Sequence, residues 1–283
     1  MDIWFSEFHT PNVKLSIKVD KQLCSVQSNY QRIDVFESPD FGRFLTLDGF
    51  MMLTEKDEFI YHEMITHVPM AVHPNPKQIL VIGAGDGGVL RELVKYDYIE
   101  NIDMVEIDEE VVRVCREFLP QTACSFDHPK VNLRFEDGLR YVRSQEDKYD
   151  IIIVDSTDPF GPGEGLFTME FYGNCFKALK EDGILVNQHE SPFYEDDVLA
   201  VKRAHKRIVQ SFDISRVYQA HIPTYPSGHW LFGFASKKYM PIRDLNADEW
   251  NALGIKTRYY NTNLHRGAFY LPGYVEEILR EVE

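Results

Sequence analysis

Cysteine is scarce in this 283-residue chain: Cys24, Cys115, Cys124 and Cys175 are the four, and no two of them form a Cys-x-x-Cys pair. The spacing argues against zinc and dithiol motifs, so the thiols are expected as packing residues in a reduced, cytoplasmic setting. No apolar run approaches the roughly 20 residues that a membrane span needs. The opening Met1-Asp2-Ile3-Trp4-Phe5-Ser6-Glu7 has neither the basic nor the apolar region of a signal peptide. Positive charge is in deficit: 30 Lys and Arg face 45 Asp and Glu, a net charge of −15. With no basic stretch to offset it, nucleic acid is not expected as a partner, and a cationic small substrate is mildly favoured. Internal repeats, low-complexity tracts and long linkers are missing as well.

What the chain does contain changes character near residue 55. Before it, residues alternate as in β-strands: Leu15 to Val19, Gln31 to Glu37, and Phe41 to Leu47 closed by the turn pair Asp48-Gly49. Residues 1–55 are expected to form a small N-terminal antiparallel β-domain. Thr54 and Asp57 resemble a capping box ahead of a helix from Glu58 to about Val72, which Pro74 and Pro76 end. From Lys77 strands and helices alternate, the pattern of a parallel sheet covered on both faces. Arg216 to His221 and His229 to Ala235 then follow each other too closely for a helical crossover, so that pair should be antiparallel. Residues 56–283 are therefore expected as an α/β, Rossmann-like sheet of the methyltransferase type with a terminal antiparallel hairpin.

Chemistry-bearing residues sit where strands end. The run Tyr149 to Val154 is an apolar strand followed by Asp155-Ser156-Thr157-Asp158-Pro159. In an open α/β sheet this places two carboxylates at the pocket, a site suited to a cation. Gly83-Ala84-Gly85-Asp86-Gly87-Gly88 lies between a strand and a helix, where glycines let backbone approach a ligand. Glu106 ends the next strand and is placed to accept from ribose hydroxyls, while Asp108 is placed to cap the following helix. Asp137 can accept from an adenine amino group, with Gly138 leaving room for the ring. NAD and S-adenosyl ligands both satisfy these features. Asp86 separates them: a carboxylate inside the loop repels pyrophosphate and equally the carboxylate of S-adenosylmethionine. A donor that has lost its carboxylate and keeps its ammonium is favoured.

Together the motifs resemble the spermidine synthase family of aminopropyltransferases. The matching stretches are Tyr30-Gln31, Tyr61-His62-Glu63-Met64, Gly83 to Glu92, Val105 to Asp108, Asp137-Gly138, Asp155 to Pro159 with Gly161-Pro162, and Ile222 to Gly228. The resemblance implies transfer of an aminopropyl group from decarboxylated S-adenosylmethionine to putrescine, giving spermidine and methylthioadenosine. It implies Asp155 as the catalytic acid–base residue. The donor side would be lined by Gln31, His62, Asp86, Glu106, Asp137, Gly138 and Pro162, and the diamine held by Tyr61, Asp155, Asp158 and Tyr225. It implies no prosthetic group and no metal, and a homodimer or homotetramer. Cadaverine, agmatine and spermidine are alternative acceptors. An S-adenosylmethionine-dependent methyltransferase and a catalytically silent polyamine-binding module are the alternative functions. The family often has glycine where this chain has Ala84, a methyl that ordinary backbone angles would tolerate.

The chemistry constrains the role of Asp155. An alkylamine with a pKa of about 10.4 is neutral in roughly one molecule in 2,500 at pH 7, a cost of about 4.6 kcal/mol. A carboxylate at its usual pKa of about 3.9 falls some 6 units short as a base for that ammonium. Asp155 is therefore expected to be raised by burial, and to stabilise the positive charge that grows on nitrogen as attack proceeds. Tyr61 is its expected orienting neighbour, and Asp158 holds the diamine. The glycines and prolines between Phe160 and Gly165 suggest a lid.

Overall fold

The computed structural model describes residues 2–156 and 165–283. Its N-terminal part holds six strands: β1 (Ile3–Thr10), β2 (Val13–Val19), β3 (Lys21–Gln27), β4 (Arg32–Ser38), β5 (Gly42–Leu47) and β6 (Phe50–Thr54). The strands β1 and β2 form a separate antiparallel hairpin, and β3-β4-β5-β6 an antiparallel sheet. β1, β3 and β6 were absent from the individual expectations. β1 and β3 are half exposed, so neither shows a clean alternation.

α1 (Glu58–Val72) follows at the expected position. The capping box does not form. The box needs its acid at the third helical position, but Asp57 is the N-cap itself, with α1 starting one residue later. Thr54 Oγ1 instead donates to Asp57 Oδ1 (2.6 Å), and Asp57 Oδ2 accepts from the amide (3.1 Å) and hydroxyl (2.8 Å) of Thr224. The start of α1 is thereby tied to a loop far along the chain. The helix is buried almost all round, including His62, Glu63, Thr66 and His67. Glu63 accepts from the amides of Arg258, Tyr259 and Tyr260 at 2.7–2.8 Å, which holds the C-terminal segment against the helix.

The large sheet is built from β7 (Gln78–Gly83), β8 (Asn101–Glu106), β9 (Val131–Phe135), β10 (Tyr149–Asp155), β11 (Leu179–Glu190), β12 (Ile214–His221) and β13 (His229–Ser236). Their order is β12-β13-β11-β10-β7-β8-β9. The five strands from β7 to β11 are parallel, and β13 runs antiparallel to both β11 and β12, as the short connection requires. The connections carry α2 (Gly88–Leu93), α3 (Glu109–Phe118), the short α4 (Pro120–Ala123), α5 (Gly138–Arg143), α6 (Met169–Ala178) and α7 (Glu195–Ser211). α8 (Ala247–Ala252), α9 (Thr262–Ala268) and α10 (Gly273–Arg280) complete the chain. β10 is buried on both faces from Tyr149 to Val154, which explains its unbroken apolar run. Chain order reverses between β7 and β10, so a crevice opens beyond their carboxyl ends. Asp155 and Gly83 are register partners at that edge.

Candidate active site

The crevice is one cavity lined by Gln31, Tyr61, His62, Asp86, Glu106, Asp137, Gly138, Asp155 and Tyr225. Nine residues singled out from the sequence thus share one space. Asp158 and Pro162 lie outside the described residues, and so does the expected lid apart from Gly165.

The glycine loop is shaped by two close approaches. Gly83 has a φ of 85°, and a Cβ there would sit 1.9 Å from the Asp155 carbonyl oxygen. At Gly88 a Cβ would lie 2.3 Å from the His62 ring. Ala84 breaks the expectation of ordinary angles, since its φ is 63°. Its amide donates to the Asp155 carbonyl at 2.8 Å, and its own carbonyl accepts from Gly87 at 2.9 Å. Those two bonds hold a non-glycine residue in the left-handed region at a cost of about 1–2 kcal/mol.

On one side of the cavity Tyr61 donates its hydroxyl to Asp155 Oδ1 at 2.7 Å. Asp155 Oδ2 is buried with no partner among the described residues. Burial, and then the nearby Asp86 charge, push the Asp155 carboxyl up to about 7. Burial and Asp155 likewise push the Tyr61 phenol well above its usual range, so it remains the donor. Tyr225 packs its ring on Tyr61 and Trp230, but its hydroxyl donates to the Met52 carbonyl at 2.6 Å. It therefore offers the cavity an aromatic face and joins the N-terminal sheet to the site.

Other carboxylates line the same cavity. Asp86 Oδ1 meets His62 Nε2 at 3.1 Å and accepts from the Gly88 amide at 2.7 Å. Glu106 Oε1 accepts from the Asp108 amide at 2.8 Å, and burial raises Glu106 to about 7. Asp108 caps α3 through the Glu110 amide, in the role expected of it. Its other oxygen accepts from Ser28 Oγ (2.6 Å) and Gln31 Nε2 (3.1 Å). That bond fixes the Gln31 amide, leaving its carbonyl oxygen for a ligand. Asp137 Oδ1 caps α5 through the amides of Leu139 and Arg140. Gly138 is constrained by protein: a Cβ there would lie 2.5 Å from Ile82 Cγ2. One ligating atom from each of His62, Asp86 and Asp155 fall within 4.8 Å of one another. Both His62 nitrogens face carboxylates, so the ring has no lone pair for a metal.

Glu7 and Gln188 also line the cavity, and sequence reasoning missed both. Glu7 is buried and accepts from the Met51 amide at 2.8 Å. It holds the one fully buried position of β1. Gln188 stands at the carboxyl end of β11 and bonds Glu190 Oε1 through Nε2 at 3.0 Å. No sequence motif marked it.

Comparison with known proteins follows the same outline. The family model for the spermine/spermidine synthase domain matches residues 58–246, and that for the spermidine synthase tetramerisation domain matches residues 3–55. The polyamine aminopropyltransferase of Alkaliphilus oremlandii (strain OhILAs) is 68% identical over the full length of both chains. That of Clostridium perfringens (strain 13 / Type A) is 70% identical, again over all of both. A crystal structure of spermidine synthase in complex with the transition state analogue AdoDATO superposes with a TM-score of 0.96 at 46% identity, covering 99% of this chain and 95% of that one. The spermidine synthase from Thermotoga maritima gives 0.94 at 45% identity, covering 99% and 94%.

Proposed function

This chain belongs to the spermine/spermidine synthase family, and from that premise we propose that it transfers the aminopropyl group of decarboxylated S-adenosylmethionine to putrescine, releasing methylthioadenosine. The observation that carries the reading is the Tyr61–Asp155 pair: a carboxyl raised to about 7, one oxygen held by a phenol and the other bare, in the same cavity as Asp86 and Glu106.

In the reaction the neutral amine attacks the methylene next to the donor sulfonium. A C–N bond forms, the C–S bond breaks, and sulfur keeps the electron pair as a neutral thioether. The nitrogen gains positive charge and gives a proton to Asp155. A carboxyl near 7 narrows the gap to an alkylammonium to about 3.4 units, or about 4.6 kcal/mol, half of what an ordinary aspartate faces. The bare Oδ2 is the atom available to that proton. Tyr61 orients the carboxyl through Oδ1, and the rings of Tyr61, Tyr225 and Trp230 supply an apolar wall that disfavours ammonium at the attacking end.

On the donor side, Glu106 and the Gln31 carbonyl are acceptors for the two ribose hydroxyls, and Asp137 for the adenine amino group. Asp86 takes the ammonium of the aminopropyl arm and disfavours a donor that still has a carboxylate. Glu7 and Gln188 are the polar groups available to the far amine of the acceptor. Asp158 and Pro162 keep the roles implied by the resemblance, diamine holder and nucleoside contact. The cell's cytoplasm is the setting, with no prosthetic group required. A homo-oligomer is supported by residues 3–55 and by the hairpin of β1 and β2, where Ile3, Trp4 and Phe8 are each more than half exposed.

The test offers the protein decarboxylated S-adenosylmethionine with an equimolar mixture of putrescine, cadaverine, agmatine and spermidine, and reads products by mass spectrometry. Spermidine and methylthioadenosine in equal amounts are expected. A dominant product from another amine would reassign the acceptor, and methylated amines from ordinary S-adenosylmethionine would overturn the chemistry.

A further inference from the structure

His62 stands between two carboxylates. Its Nδ1 lies 2.5 Å from Glu58 Oε2 and its Nε2 3.1 Å from Asp86 Oδ1. An ionised carboxylate only accepts, so both ring nitrogens must donate, and the ring is an imidazolium. Glu58 is itself gripped by a fork: Arg91 Nη1 donates to Oε1 and Nη2 to Oε2, both at 2.9 Å. Arg91 Nε is held in turn by Glu92 Oε1 at 3.0 Å. Charges therefore alternate along a line from α2 to the cavity: Arg91, Glu58, His62, Asp86. Only the last two line the cavity.

We propose that Glu58 and Arg91 are positioning residues of the aminopropyl-transfer site, holding His62 as a fixed cation that fills Asp86 Oδ1 and screens Asp155 from the Asp86 charge. The proposal rests on the reaction proposed above. The other groups facing the ring support it. Gly88 brings α2 backbone against one face, the Tyr61 ring meets it edge-on at 5.6 Å, and Asp155 reaches it from β10. None of these is a cation, and against strong desolvation Asp86 and Glu58 chiefly raise His62 to about 10. Arg91 and His62 hold Glu58 down to about 2.

Two consequences follow for the reaction. Because Oδ1 of Asp86 is taken by His62 and the Gly88 amide, Oδ2 is the oxygen left for the donor ammonium, which sets where the aminopropyl arm ends. Because His62 stays charged, the Asp155 carboxyl ionises near neutral pH instead of well above it; His62 is the cation acting on it against Asp86.

Glu58→Gln keeps the volume and can still accept from Nδ1, but removes the charge. Two readouts test it. In protein labelled with 15N-histidine, without ligands, His62 of the wild type should remain an imidazolium at pH 8.5, and in Glu58→Gln it should titrate at least three pH units lower than in the wild type, so that the ring loses its charge across the Asp155 limb. In kinetics, the acidic limb of the kcat/KM profile should move up by about one pH unit in Glu58→Gln, so that a roughly fivefold deficit at pH 7 largely disappears by pH 8.5. Arg91→Lys keeps a cation beside Glu58 and should leave the limb in place. A neutral His62 at pH 8.5 in the wild type would overturn the proposal, as would a Glu58→Gln enzyme whose activity falls equally at every pH. Should Glu58→Gln fail to fold, the wild-type titration decides alone. The titration needs no turnover, so it stands even if no methylthioadenosine is formed.

Discussion

Replacing Asp155 with asparagine should cut turnover sharply and make the protein progressively more stable relative to the wild type as pH rises. Burial and Asp86 lift this carboxyl from 3.8 to about 7. The sign is fixed by proton binding. Between those values the folded state keeps a proton that the unfolded state has released, so stability falls as pH rises through the window. The penalty is about 2 kcal/mol at pH 5 and roughly 2–3 kcal/mol larger at pH 8. Asparagine does not titrate, and its carbonyl can still accept from Tyr61. Its amide nitrogen replaces the bare Oδ2 and adds a constant cost for an unmet donor, about 1–3 kcal/mol. The stability of Asp155→Asn relative to wild type should thus rise by roughly 2–3 kcal/mol from pH 5 to pH 8, whatever its absolute value. Urea unfolding of both proteins at the two pH values measures it, and titrating groups that do not interact with Asp155 cancel in the difference. Turnover should fall roughly 10²–10⁴-fold, the range for a general acid–base group. A relative stability that stays flat within about 0.5 kcal/mol from pH 5 to 8, or near-normal turnover, would refute the reasoning.

Other substitutions test separate parts of the site. Glu106 is raised to about 7 by burial, and in its proposed ribose contact it accepts both hydroxyls best when ionised; Glu106→Gln should raise donor KM about tenfold, with kcat less affected, and leave the acidic limb due to Asp155 in place, in initial-rate kinetics. Ala84→Gly relieves the left-handed φ of 63° but loosens the unfolded chain, a net gain of about 0.5–1 kcal/mol and a Tm rise of roughly 1–3 °C by scanning calorimetry; a lower Tm would mean the two bonds carry no strain. Phe8→Asp puts a charge on the exposed face of β1 and should lower the assembly state by light scattering while leaving the fold intact by circular dichroism.

The sheet was legible because its strands are buried on both faces and read as unbroken apolar runs, Ile151 to Val154 above all. The antiparallel ending followed from chain length alone between His221 and His229. Strand order and register were out of reach, since they depend on crossovers that no local pattern encodes. In the site, residues at strand ends were found because position and chemistry coincide there: Asp155, Glu106, Asp137 and the glycine loop. Glu7 was missed because a single acid in a half-exposed strand resembles a surface charge until its neighbours are placed. The Ala84 angle and the Arg91–Glu58–His62 line were invisible for another reason. Both arise from contacts between segments, and sequence spacing does not carry torsion angles or ring orientation.

Glu63 gives the site a timetable. This buried carboxylate of α1 depends on amides 195–197 residues further along the chain. At about 5–20 residues per second, a ribosome needs roughly 10–40 s to deliver them. Until then the helix bearing Tyr61 and His62 would have to bury a charge without donors, so it cannot dock in final form. A nascent chain can complete its N-terminal sheet early, but the cavity closes last, after nearly the whole polypeptide has emerged. A chain that stops before Arg258 should therefore fail at the active site first, although every described residue that lines the cavity has already been made.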